Sequence, residues 1–99
     1  MKKVLIEVFE CDCCKFAEYV VKNSIRGHED DVECKYYTLP GDRTIFEKNG
    51  VKLTETDGVL RAAPLVVISK ERENQLKVDK VNRIHVQKAL NSLLINQTK

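Results

Sequence analysis

Apolar residues recur along this chain in two rhythms, and the changes between them mark its elements. Val4-Leu5-Ile6 followed by Val8-Phe9 is rich in β-branched and aromatic residues but too short for a helix. That run predicts a buried strand over 4–9, central in its sheet. From about Cys14 to Ile25 the rhythm changes, because Phe16, Ala17, Val20, Val21 and Ile25 fall at helical spacing with Lys15, Glu18 and Lys22 opposite them. An amphipathic helix of about three turns is expected there. Gly27 and the polar Glu29-Asp30-Asp31 end it, and Val32 to Leu39 returns to strand composition until Pro40-Gly41 closes it.

The second half is more broken. Asp42 as a cap, Ile45 and Phe46 as buried residues and Gly50 as a stop predict a short helix over 42–49. Residues 51–62 fit neither rhythm, although Asp57-Gly58 is a turn signal. Pro64 opens a strand over 65–68, and a polar loop over 70–74 separates it from an edge strand over 75–78, so the two read as a hairpin. Val81, Ile84, His85, Ala89, Leu90, Leu93 and Leu94 then follow helical spacing into a polar tail. The order is strand, helix, strand, helix, strand, strand, helix, with the first two strands parallel across a right-handed crossover.

Length and charge narrow the function. Ninety-nine residues with 42% hydrophobic content suit one domain over 1–99. Seventeen basic against fifteen acidic residues leave a net charge of +2 without a basic block, so nucleic acid is not an expected partner. No apolar run approaches the roughly 18 to 20 residues that span a bilayer, so no membrane association is expected. Glu7 and Glu10 interrupt a start that otherwise resembles a signal peptide, which makes the expected location cytoplasmic.

The cysteines carry the candidate chemistry. Three of the four lie at 11, 13 and 14, too crowded to staple distant segments, and clustered thiols in a reducing compartment point to redox exchange or to metal. Cys11 and Cys14 have C-x-x-C spacing where the first strand gives way to a helix. Cys11 is then placed at the helix N-terminus, where amides and dipole favour the thiolate nucleophile, and Cys14, one turn on, is the resolving thiol. Asp12 opposes that thiolate and Lys15 supports it. In the alternative, Cys11, Cys13 and Cys14 are three soft ligands of a carrier for zinc, Cu(I) or a thiophilic toxic metal, although no second C-x-x-C or H-x-x-x-H completes a closed tetrahedral site. A third reading is an adaptor that does no redox work. Outside these readings Cys13 is an extra exposed thiol, Cys34 a buried small hydrophobe, His85 a packed or boundary residue and His28 a solvated one.

Through Cys11-Asp12-Cys13-Cys14-Lys15 after the first strand, Arg61-Ala62-Ala63-Pro64 before the third, and the element order over nearly the whole chain, the sequence resembles the thioredoxin and glutaredoxin superfamily. The resemblance implies an α/β, thioredoxin-like three-layer fold with a four-stranded mixed sheet flanked by helices. It implies a thiol-disulfide oxidoreductase with a redox-active Cys11-Cys14 disulfide and no cofactor. A cis Ala63-Pro64 bond beside the dithiol is implied too, with the Ala63 backbone open to an extended substrate. Glu7 is the candidate proton acceptor by likeness to the buried acid of thioredoxins, against the usual fate of a strand-end Glu as a surface residue. The expected partners are a disulfide-containing protein and, as reductant, a thioredoxin-reductase-like enzyme or a low-molecular-weight thiol, and a monomer is expected. The absence of a Gly-Gly or Gly-Cys pair after the hairpin, of the kind with which glutaredoxins hold glutathione, favours protein disulfides as substrates.

Overall fold

A computed structural model describes residues 4–11, 16–70 and 73–95. In chain order the elements are β1 (Val4–Cys11), α1 (Phe16–Ser24), β2 (Val32–Leu39), α2 (Arg43–Lys48), β3 (Leu53–Thr56), β4 (Val59–Ala62), β5 (Leu65–Lys70), β6 (Glu73–Val78) and α3 (Arg83–Ile95). The expected succession of strands and helices recurs, with the hairpin β3–β4 added between α2 and β5. Its turn is Asp57-Gly58, with φ of 53° and 77°. Two successive positive φ values give a turn whose twist matches that of the flanking strands, and Asp-Gly is a favoured pair there. Periodicity missed the strands themselves because each has four residues and Thr54, Glu55 and Thr56 leave little apolar alternation to detect.

The main sheet has the order β2-β1-β5-β6. β1 lies parallel to β2, with Val4 opposite Val32 and Cys11 opposite Leu39, and antiparallel to β5, with Phe9 opposite Leu65. The result is a small α/β molecule with a four-stranded mixed sheet and three helices. Successive strand side chains point to opposite faces, so β1 supplies two cores at once. Val4, Ile6 and Val8 pack with Ala17, Val20 and Val21 of α1 and with Val86, Leu90 and Leu93 of α3. Phe9 and Cys11 turn the other way, to Leu39, Val67 and Phe46 of α2, with Leu53 and Leu60 of the hairpin half-buried against them. Burial on both faces is why β1 reads as an almost unbroken apolar run.

The helices depart from expectation in detail. Ile84 is 77% exposed and His85 is exposed, whereas Val86 is fully buried. The cause is the helix start: the Asn82 side chain accepts the His85 N–H at 2.8 Å, and from that cap the inward stripe becomes Val86, Ala89, Leu90 and Leu93. In α1 it is Ser24, donating to the Val20 carbonyl at 2.8 Å, that is buried, while Phe16 is 50% exposed. Asp42 makes no side-chain cap for α2; its Oδ2 accepts the Thr38 N–H at 2.9 Å and holds the turn after β2 instead. Among the described residues no helix is long and apolar enough to cross a membrane.

Two substitutions test this packing. Phe9→Ala should destabilise the protein by about 3–5 kcal/mol in chemical denaturation, while Ile84→Ala should change it by less than about 0.5 kcal/mol. Comparable losses would put Ile84 in the core and refute the α3 register.

Candidate functional site

Cys11 is the last residue of β1 and still lies in the ladder opposite Leu39, so its side chain takes the same face as Phe9. It is 9% exposed and packs with Phe9, Leu39, Phe46 and Val67. It also borders a cleft of about 420 Å³, whose walls include Leu39 at the end of β2 and Pro40 after it, Arg43 at the start of α2, and Glu55, Val59 and Leu60 of the hairpin. The cleft lies at the carboxyl end of β1, the end of an open α/β sheet where ligands commonly bind.

The expectation that Cys11 sits at the helix N-terminus is corrected. β1 runs two residues past its expected end because its pairing with β2 continues to Leu39, and this keeps Cys11 in the strand on the face away from α1. The amides at the start of α1 go to Glu10. Ala17 N–H donates to Glu10 Oε2 at 2.9 Å and Glu18 N–H to Oε1 at 3.3 Å. Glu10 is 5% exposed, so these bonds help to offset the burial of a carboxylate, and the helix dipole favours a negative charge at this end. Nothing in the local sequence pattern marks Glu10 as a cap. Local capping rules look to a residue directly before the helix, and Glu10 reaches Ala17 from seven residues away.

β5 begins at Leu65, opposite Phe9, so Ala63 and Pro64 lead into it at the end of the sheet where β1 finishes. The structure therefore brings Ala63 and Pro64 to the Cys11 end of β1, Ala63 exposed and Pro64 half-buried. The expected cis Ala63-Pro64 bond is absent: that bond is trans, and the cis bond is Leu39-Pro40. Trans is the lower-energy isomer by about 0.5–1 kcal/mol, and Pro64 leads into β5 without needing another.

Glu7 is also corrected as a proton acceptor. It shares a face with Cys11 but stands four residues away, about 13 Å along a strand at about 3.3 Å per residue, with Phe9 between them. Hydrogen-bond reach is about 3 Å, and Glu7 Oε2 instead accepts the Tyr37 hydroxyl at 3.0 Å. Asp12, Cys13, Cys14 and Lys15 lie outside the described residues, so of the dithiol and of the alternative metal set the structure describes Cys11. Among the described residues no group of three His, Cys, Asp or Glu side chains could hold a metal ion.

Two adjacent tyrosines of β2 turn to opposite faces of the sheet. The Tyr37 ring stacks on Phe9 at 4.9 Å, and Phe9 meets Phe46 edge-on at 5.3 Å. Burial raises the Tyr37 phenol pKa, and the hydrogen bond to Glu7 and its charge raise it further. On the opposite face burial, and then Cys34 beside it, push Tyr36 up well beyond the ordinary tyrosine range. Cys34 is half-buried against the α1–α3 core rather than fully buried.

Glu10→Ala should destabilise the fold by about 1–3 kcal/mol, because the buried Ala17 amide loses its acceptor. Amide exchange at Ala17 and Glu18 should accelerate with it; unchanged stability and exchange would remove the cap. The raised tyrosines set an alkaline limit. With folded-state pKa values above the unfolded value near 10, their contribution to stability is full below about pH 10 and is lost as pH rises through the folded values. Tyrosinate absorbance of the folded protein should show Tyr36 and Tyr37 ionising above about pH 10; ionisation of both at the ordinary value would contradict their surroundings.

Comparison with known proteins adds the fold. The chain is similar to a solved structure described as that of a malarial protein, with a TM-score of 0.71 and 11% identity, over 94% of this chain and 99% of that one. At that identity the likeness is one of fold alone. No family model and no curated protein matches the chain.

Proposed function

We propose that this protein is a thiol-disulfide oxidoreductase of thioredoxin-like fold, with Cys11 as nucleophile and Cys14 as resolving thiol. The observation that carries the reading is the position of Cys11: at the carboxyl end of an interior strand and on the border of a cleft, at the end of the sheet where Ala63 and Pro64 lead into β5. The sheet order β2-β1-β5-β6, with α1 and α3 packed on one face and α2 on the other, agrees with the three-layer arrangement that the sequence resemblance implies.

The residues divide the work. Glu10 ties the start of α1 to the end of β1. Ala63 is an exposed residue, and Pro64, having no N–H to donate, leads into β5 at this end, where an extended disulfide-bearing protein segment can lie. The Cys11 thiolate attacks one sulfur of the substrate disulfide and displaces the other as a thiolate. Cys14 then attacks Cys11, releases the second product thiol and leaves Cys11-Cys14 oxidised. A thioredoxin-reductase-like enzyme or a low-molecular-weight thiol restores the dithiol. A reducing cytoplasm suits a chain whose cysteines cycle in this way.

Cys11→Ser should abolish disulfide reduction, and Cys14→Ser should accumulate a mixed disulfide with substrate detectable by intact mass. Full activity in Cys11→Ser would eliminate the mechanism.

A further inference from the structure

Two charges on the rim of the Cys11 cleft sit where local structure alone would not favour them. In the hairpin β3–β4, Glu55 pairs with Leu60 and Leu53 with Ala62, so these four side chains share one face. Leu53, Leu60 and Ala62 turn that face toward the core, and Glu55 continues the same inward row out to the cleft. An apolar residue there would extend the core, whereas a carboxylate must remain solvated or meet a cation. Arg43 opens α2, a helix with no acidic residue in its first turn, at the end where a cation opposes the helix dipole. Its intramolecular contact with Glu47, at 3.8 Å between side chains more than half exposed, is of the kind that contributes little.

Between these charges the wall is apolar, made by Leu39, Pro40, Val59 and Leu60, and Val59 is 47% exposed. A volume of about 420 Å³ falls within the size range of small-molecule sites, roughly 300–1,000 Å³. A cation, an anion, an apolar wall and a thiol in one cleft match a small molecule with a carboxylate, an ammonium group and a sulfur. We propose that the cleft binds a zwitterionic, amino-acid-derived disulfide, with its carboxylate on Arg43, its ammonium on Glu55 and one sulfur against Cys11. The inference rests on the dithiol reading and gives it a small-molecule substrate class besides protein disulfides, with the hairpin as the specificity element.

The step balances within the dithiol. Cys11 thiolate bonds to one ligand sulfur as the ligand S–S bond breaks, and the departing half leaves as a thiolate that takes a proton from water. Cys14 thiolate then displaces the second half in the same way. Two electrons pass from the dithiol to the ligand, giving two small thiols and a Cys11-Cys14 disulfide, which a low-molecular-weight thiol reduces again.

The test compares kcat/KM for cystine, which carries both charges, with that for neutral hydroxyethyl disulfide. Cystine should be preferred by about tenfold or more, and Arg43→Met or Glu55→Gln should each reduce that ratio about fivefold to tenfold, as loss of a charge-assisted contact predicts. No preference in the unaltered protein, or a preference that both substitutions leave in place, overturns the proposal while the dithiol reading stands. Reduction of a disulfide-bonded protein alone overturns the small-molecule proposal and leaves that reading standing; if neither of these disulfides nor a disulfide-bonded protein is reduced, the dithiol reading fails. Binding of the thioether cystathionine, followed by amide shifts at Val59 and Leu60, then decides the site by itself: shifts that weaken in Arg43→Met uphold it, and their absence overturns it.

Discussion

The structure depends on one strand having to satisfy two faces at once. Each residue of β1 must find its partners on the side to which the pleat turns it. Val8 and Glu10 therefore answer to α1 and α3, while Phe9 and Cys11 answer to α2 and the hairpin. The side chain hardest to place is Glu10, a carboxylate turned into the first of these layers. Its solution is also the joint between strand and helix, because the amides that α1 leaves unpaired in its first turn are the donors the carboxylate needs. The two polar problems cancel each other, and the start of α1 is thereby set against the end of β1.

The two faces are finished differently, and the difference places the site. Long aliphatic contacts from α1 and α3 cover one face. On the other, the six-residue α2 and a small hairpin cover the aromatic cluster around Phe9 and leave a cleft beyond it where β1 and β2 end. The same aromatic cluster separates Glu7 from Cys11 and gives that acid a phenol as partner. An acid on the correct face is thus kept out of the chemistry by its distance along the strand. Glu10, the acid that precedes Cys11, is turned to the opposite face.

Much of the framework was legible from the order of residues. Strand β2 has the limits its composition suggests, the α1 stripe of Ala17, Val20 and Val21 is buried, and Asp57-Gly58 turns the chain as that pair should. Short-range chemistry dominates in each case: side-chain branching, helical spacing and tolerance of positive φ. The readings that failed needed partners distant in sequence. The inward face of α3 depended on a cap at Asn82, and the strands of β3–β4 are too short and polar to be seen until they close over Phe9 and Leu39.

By itself the sequence determined a small α/β protein with three thiols crowded near the end of its first strand, because periodicity and residue type act over a few neighbours and need no knowledge of what packs against them. Only the tertiary structure decided which way the last residues of β1 face. It turned Cys11 to the cleft, gave Glu10 the amides of α1, left Glu7 to Tyr37 and assigned the cis bond to Leu39-Pro40 instead of Ala63-Pro64. The physical reason is the pleat. A strand that runs on by two residues carries its last side chains into contacts set by pairing with β2, and that pairing joins residues far apart in the chain.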